Sequence, residues 1–189
     1  MKNKRGFMIK RLFTKTTLLL ATFLISHIAY SAGSQVAYIT VNASASTGCS
    51  AITFSSTGPM MNFGLIYPGS TNLASTILNF SCSGDTAYTI TATSTNTDGV
   101  GDRLLCLNGC SNASLQYRVV LPTNFPGTAC PTTYNSGVAL PNGVASTPVS
   151  VTSTNAQSVA LCGQLSVPAG STLSEGMYSD MLTITVSWT

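Results

Sequence analysis

The sequence predicts an all-β domain built as a two-sheet sandwich. Three observations carry that reading: apolar and polar residues alternate in short runs, the runs are rich in Thr, Ser, Val and Ala, and Gly, Pro, Asn and Asp separate them. Alternation with period two sends successive side chains to opposite faces of a strand, and the separating residues are those that turns require. Short strands in one stretch, with no repeat or low-complexity linker dividing them, suggest two packed sheets.

Taken in order, strands are expected at residues 36–45, 50–54, 61–66, 74–82, 87–93, 115–121, 149–153, 158–167 and 178–188. The first alternates without a break, and Thr47-Gly48-Cys49 ends it. Tyr67-Pro68-Gly69 closes the third, and Gly84-Asp85 separates the fourth from the fifth. Asp98-Gly99 reads as a hairpin-type turn. The Gly-, Asn- and Pro-rich stretch 122–148 reads as a long connection tied down by Cys130.

Charge is distributed unevenly along the 189 residues. Six of the eight Lys and Arg, namely Lys2, Lys4, Arg5, Lys10, Arg11 and Lys15, precede the apolar run that begins near Leu18, while all five acids, Asp85, Asp98, Asp102, Glu175 and Asp180, follow it. A basic stretch, about a dozen apolar residues to Ala29 and then small residues form the layout of a secretory signal peptide, with cleavage expected after Ser31 or, alternatively, Ala32. The apolar core is shorter than the ~20 residues of a membrane span, so no stable membrane insertion is expected. A type IV prepilin leader, suggested by Gly6-Phe7, is disfavoured because Lys10, Arg11 and Lys15 interrupt its helix. After the leader, two arginines, Arg103 and Arg118, face five acids, which excludes a basic nucleic-acid binder.

Beyond residue 31 there is no Lys and no His. The usual general base, Schiff-base amine and transition-metal ligand are therefore missing, and no catalytic residue, cofactor or metal is expected. All six cysteines, Cys49, Cys82, Cys106, Cys110, Cys130 and Cys162, lie in the exported part. An even count in an oxidising compartment reads as disulfides, with 15 connectivities available; the expected set is Cys49 with Cys82, Cys106 with Cys110 and Cys130 with Cys162. A zinc site at Cys106-x-x-x-Cys110 is the rival, weakened by the lack of His and of a second close pair.

The two ends bear on function. In the last strand Tyr178, Leu182, Ile184, Val186 and Trp188 share one face, and the sequence then ends at Thr189. An immunoglobulin-like sandwich needs a further strand beside such a segment, so an open groove and an unpaired row of main-chain groups are expected there. Directly after the cleavage site, Ala37, Ile39, Val41, Ala43 and Ala45 alternate with Tyr38, Thr40, Asn42 and Ser44. That strand offers one apolar face and, placed in a neighbour's groove, supplies what is missing by β-augmentation. The simpler reading is an edge strand of its own domain.

Several pieces together resemble the spore coat protein U domain family. They are Asn62-Phe63-Gly64 with Tyr67-Pro68, Leu78-Asn79-Phe80-Ser81-Cys82 followed by Tyr88-Thr89-Ile90, Leu115-Gln116-Tyr117-Arg118, and Gly176-Met177-Tyr178-Ser179-Asp180 leading into Leu182-Thr183-Ile184-Thr185-Val186. The segment ending in Thr47-Gly48-Cys49 is similar to the start of an archaic chaperone-usher pilin. The resemblance implies an incomplete immunoglobulin-like β-sandwich completed by donor-strand complementation, exported through the periplasm to the surface pilus of a Gram-negative bacterium. Its implied partners are a periplasmic chaperone, an outer-membrane usher and neighbouring pilin subunits, and its implied role is adhesion and biofilm formation. The organisation becomes a signal peptide at 1–31, a donor-strand segment at 32–47 and a pilin domain at 48–189. Ala37, Ile39, Val41, Ala43 and Ala45 become the donor face, and Leu182, Ile184, Val186 and Trp188 contribute to the acceptor groove. Cys49 with Cys82 matches the family's early pair, whereas the other four cysteines look like additions and leave open whether this is a main or minor subunit. A tip adhesin would carry a further receptor-binding domain, for which this sequence has no room. The alternative is a self-complemented secreted or surface-bound binding module, with glycans as candidate ligands.

Three smaller features have a functional and a plain reading. Oxygen ligands around Asp98 and Asp102 suggest calcium, but a plain turn is preferred because the acidic residue that closes a known calcium loop is missing. Arg118 is expected to face solvent or pair with an acid. Trp188 and the tyrosines are expected to pack in the core rather than to stack on sugars.

Overall fold

The computed structural model describes residues 35–45, 48–55, 58–82, 86–111, 113–151 and 156–188. The chain divides into two compact units, residues 1–32 and 33–189, and every described residue belongs to the second. The expected leader and its cleavage position, Thr47, Asp85, the end of the expected 149–153 strand and Thr189 lie outside the described residues.

Among the described residues eleven strands are formed: β1 Val36–Ala45, β2 Thr53–Phe54, β3 Met60–Leu65, β4 Thr71–Ser81, β5 Thr86–Ser94, β6 Arg103–Leu107, β7 Ala113–Leu121, β8 Val138–Ala139, β9 Val149–Val151, β10 Ala156–Ser166 and β11 Met177–Trp188. The hydrogen-bonded path runs β2-β4-β10-β7-β6-β11-β1-β3, with β5 joining β11 to β9 and β8 attached to β7. This curled sheet has the character of an immunoglobulin-like β-sandwich. Its two layers meet through aromatic pairs: the Phe63 and Tyr117 rings are 6.5 Å apart, and Phe80 meets Tyr88 edge to face at 5.1 Å. Gly163 on β10 makes room for the first pair, since a Cβ there would stand 2.8 Å from Phe63 Cζ.

Two strands lie outside the nine expected. β6, Arg-Leu-Leu-Cys-Leu, is covered on both faces, so it carries no alternation to read. β8 has only two residues and pairs with Val120 and Leu121. The strand expected at 50–54 shortens to Thr53–Phe54. β10 is buried on both faces from Val159 to Leu165, because the 122–137 connection covers its outer side. Gln164 holds that connection: its Oε1 accepts from Asn135 N (3.1 Å) and its Nε2 donates to Ser136 O (2.8 Å). The Cys130–Cys162 disulfide fixes the same segment, and the other disulfides join Cys49 to Cys82 and Cys106 to Cys110.

Candidate assembly groove

β1 occupies the place beside β11 where an open edge is expected. It runs parallel to β11 over its full length, from Val36 opposite Met177 to Ala45 opposite Val186. Its other edge pairs antiparallel with β3, from Val36 opposite Leu65 to Thr40 opposite Met60, with a bulge between Ala37 and Tyr38. Gly64, at φ +70, stands opposite the bulge, and its N–H donates to Asn62 Oδ1 (2.8 Å). A left-handed residue there costs glycine nothing. β1 is thus flanked on both sides, and the groove is filled within the chain. The physical reason is proximity, since a short covalent link gives β1 a high effective concentration at its own groove.

The pleat sorts β1 as the alternation requires. Ala37, Ile39 and Val41 are fully buried, and Ala43 and Ala45 pack partly buried against the same core. Opposite them, Leu182, Ile184 and Val186 are fully buried, and Trp188 is partly buried. The register sets Val41 against Leu182, Ala43 against Ile184 and Ala45 against Val186, which brings the expected donor and acceptor residues together in one chain. Full burial of Ile39 and Val41 contributes about 1.5–3 kcal/mol each, and the main-chain ladders on both edges add to it.

Reading β11 only for apolar residues misses the polar member of its inner face. Asp180 is buried, opposite Ile39. Its Oδ2 accepts from Ser94 Oγ (2.6 Å) and from the Tyr117 hydroxyl, and its Oδ1 accepts from Asn96 Nδ2 and Met181 N, both at 2.8 Å. Burial and the adjacent carboxylate hold the Tyr117 phenol in its neutral form, well above its ordinary range. Arg103 is also buried, and its Nη1 and Nη2 donate to Leu140 O (2.8 Å) and Ala92 O (2.6 Å). Desolvation lowers its pKa, while Tyr117, Asp180 and Asp102 act against that shift. The signal for Asp180 was its even spacing with Tyr178 and Leu182; for Arg103 no alternation was available.

The remaining features take structural geometry. Asp98 Oδ1 accepts from Val100 N (3.0 Å) and Asp102 N (2.9 Å), and its Oδ2 accepts from Gln116 Nε2 on β7 (2.8 Å), so protein donors use lone pairs a cation would need. Desolvation, the largest single contribution, raises the carboxyl pKa, but the Asp102, Val100 and Gly101 N–H groups and Gln116 together outweigh it and hold it below its ordinary value. Arg118 is exposed and donates to Asn135 Oδ1. Among the described residues no group of three or more His, Cys, Asp or Glu is arranged to hold a metal ion.

Residues 35–185 match the family model of the Spore Coat Protein U domain. That domain is associated with chaperone-usher pilus and fimbrial subunits. No curated protein matches the chain.

Proposed function

Because the chain belongs to the spore coat protein U domain family, we propose that it is a structural pilus subunit assembled by donor-strand exchange. In this reading a periplasmic chaperone first fills the groove between β11 and β3. An outer-membrane usher then passes the subunit on, and the β1 of a neighbouring copy takes the groove in the polymer. The fibre serves adhesion and biofilm formation at the surface of a Gram-negative cell.

The observation that supports this reading is the character of β1. It is a ten-residue strand joined to the rest of the domain at one end, and its apolar face enters the core beside the last strand. A strand held that way is replaceable by the β1 of a neighbouring copy, as in domain swapping. Once inserted between two copies, it is released only when the sandwich opens, so the polymer is kinetically stable.

A second reading takes the pairing within the chain as the final state, with a secreted or surface-bound module that completes itself. The full register between β1 and β11 favours it. The two are separated by running the mature protein, purified from periplasm with its chaperone co-expressed, unheated on a denaturing gel beside Ile39→Asp. Strand exchange gives a ladder of resistant oligomers that the variant lacks. A monomer in both lanes supports the self-complete module.

A further inference from the structure

Residues 32–189 contain two cations, Arg103 and Arg118. Both line one cavity of about 350 Å³, together with Asp102, Asn142, Val119 and Pro141. Coincidence of the whole positive charge of the domain in one concave site points to a ligand with a negative group. Arg103 is 4% exposed, its acceptors Leu140 O and Ala92 O are neutral carbonyls, and its Nε has no partner. It therefore acts as a fixed positive charge behind the cavity wall, offset in part by Asp180 and Asp102. Arg118 is exposed and held only to an uncharged acceptor, Asn135 Oδ1, so its fork can turn to a carboxylate without breaking an ion pair. Asn142 Oδ1 already accepts from Ser94 N (2.7 Å), so what this side chain offers a ligand is its Nδ2 donor. Asp102 is an exposed acceptor on the same rim.

We propose that this cavity binds a saccharide carrying a carboxylate, a residue of the uronic-acid type. The sugar carboxylate accepts from Arg118. Ring hydroxyls donate to Asp102 and accept from Asn142 Nδ2, and the apolar ring face lies on the exposed Pro141. A purely anionic ligand is disfavoured by Asp102, and a neutral sugar leaves the two cations unused. None of the lining residues belongs to β1, β3 or β11. The site is therefore independent of the strand that fills the groove and stands whether or not strand exchange occurs. In a polymer it is repeated along the fibre, where weak sites combine through multivalency.

The test is amide chemical-shift titration of the mature chain with digalacturonate and, in parallel, with cellobiose. Shifts are expected in residues 100–103, 117–119 and 139–142, with digalacturonate bound more tightly. Arg118→Gln is expected to weaken digalacturonate about tenfold or more while leaving cellobiose little changed. Asp102→Ala is expected to weaken cellobiose, which loses a hydroxyl acceptor. Both side chains are exposed, and unchanged amide dispersion identifies variants that have kept the fold. The proposal is overturned if digalacturonate at about 20 mM leaves these segments unmoved, if cellobiose binds equally well, or if folded Arg118→Gln binds digalacturonate as the parent does.

Discussion

Tyr88 is fully buried with a hydroxyl that has no hydrogen-bond partner, and burial pushes its phenol from 10.0 up to about 12. Removing that hydroxyl removes a desolvation cost without opening a sizeable cavity, so Tyr88→Phe is expected to stabilise the fold by about 1 kcal/mol, or about 3 °C in Tm. The neutral phenol is favoured in the folded state. Its contribution is complete below pH 10 and is lost as pH rises from 10 towards about 12. Urea midpoints at pH 8 and pH 11 should fall less in Tyr88→Phe than in the parent. Asp180 is the opposite case, since each of its oxygens is engaged. Asp180→Ala strands the Tyr117 hydroxyl and the Asn96 amide, while Ser94 Oγ keeps Asn96 O as acceptor (2.8 Å), and a loss of about 3–5 kcal/mol is expected in urea unfolding. Such residues mark where sequence reading stops. Asp180 breaks the apolar face of β11 and looks like a solvent residue until its three side-chain partners, each distant in sequence, are known. The cysteines were more legible, because six thiols in an oxidising compartment require partners and the expected pairs are the ones the fold brings together.

At the scale of elements, alternation was legible wherever a strand has one wet face. β1, β3, β5 and β11 fall within a residue or so of the expected bounds. It failed for β6, dry on both faces, and β8, too short for a period. The location of β1 was less legible than its existence: an apolar face states that the strand must be buried, not in which copy. The register permits a direct control. Asn42 and Thr183 are exposed and directly opposed on adjacent strands. Asn42→Cys with Thr183→Cys should form a disulfide within the chain, since opposed residues on paired strands lie in the Cα range a disulfide accepts. The locked protein is expected to migrate as a monomer under non-reducing conditions and to recover oligomers after reduction of that bond. Oligomers in the oxidised double variant that carry no disulfide between chains would mean that assembly does not use β1.

For the whole molecule, the reach of the linker decides what kind of assembly is available. β1 ends beside Trp188, where Gly48 approaches the indole and Cys49 is bonded to Cys82. Only Ser46, Thr47 and Gly48 separate β1 from Cys49, and three extended residues reach about 10 Å. A donor's body must therefore sit at the end of the acceptor that receives the last residues of the strand. Entry parallel to β11 puts it at the Trp188 end, from which the acceptor's own strand departs, and favours a closed pair. Antiparallel entry puts it at the Met177 end and leaves the series open. A ladder extending past the dimer is thus expected only if the exchanged strand runs opposite to β11, and bands that stop at two indicate parallel swapping. Assembly of the proposed kind requires that the groove accept a β1 from outside its own chain. The most direct measurement is a titration of fluorescent Val36–Ala45 peptide into the mature Ile39→Asp chain, whose own strand carries a charge opposite Asp180. Saturation at one peptide per chain, a rise in Tm with peptide concentration, and no binding of the peptide bearing the same Ile39→Asp change are expected. An Ile39→Asp chain that melts like the parent and leaves the peptide unbound would contradict assembly of this kind.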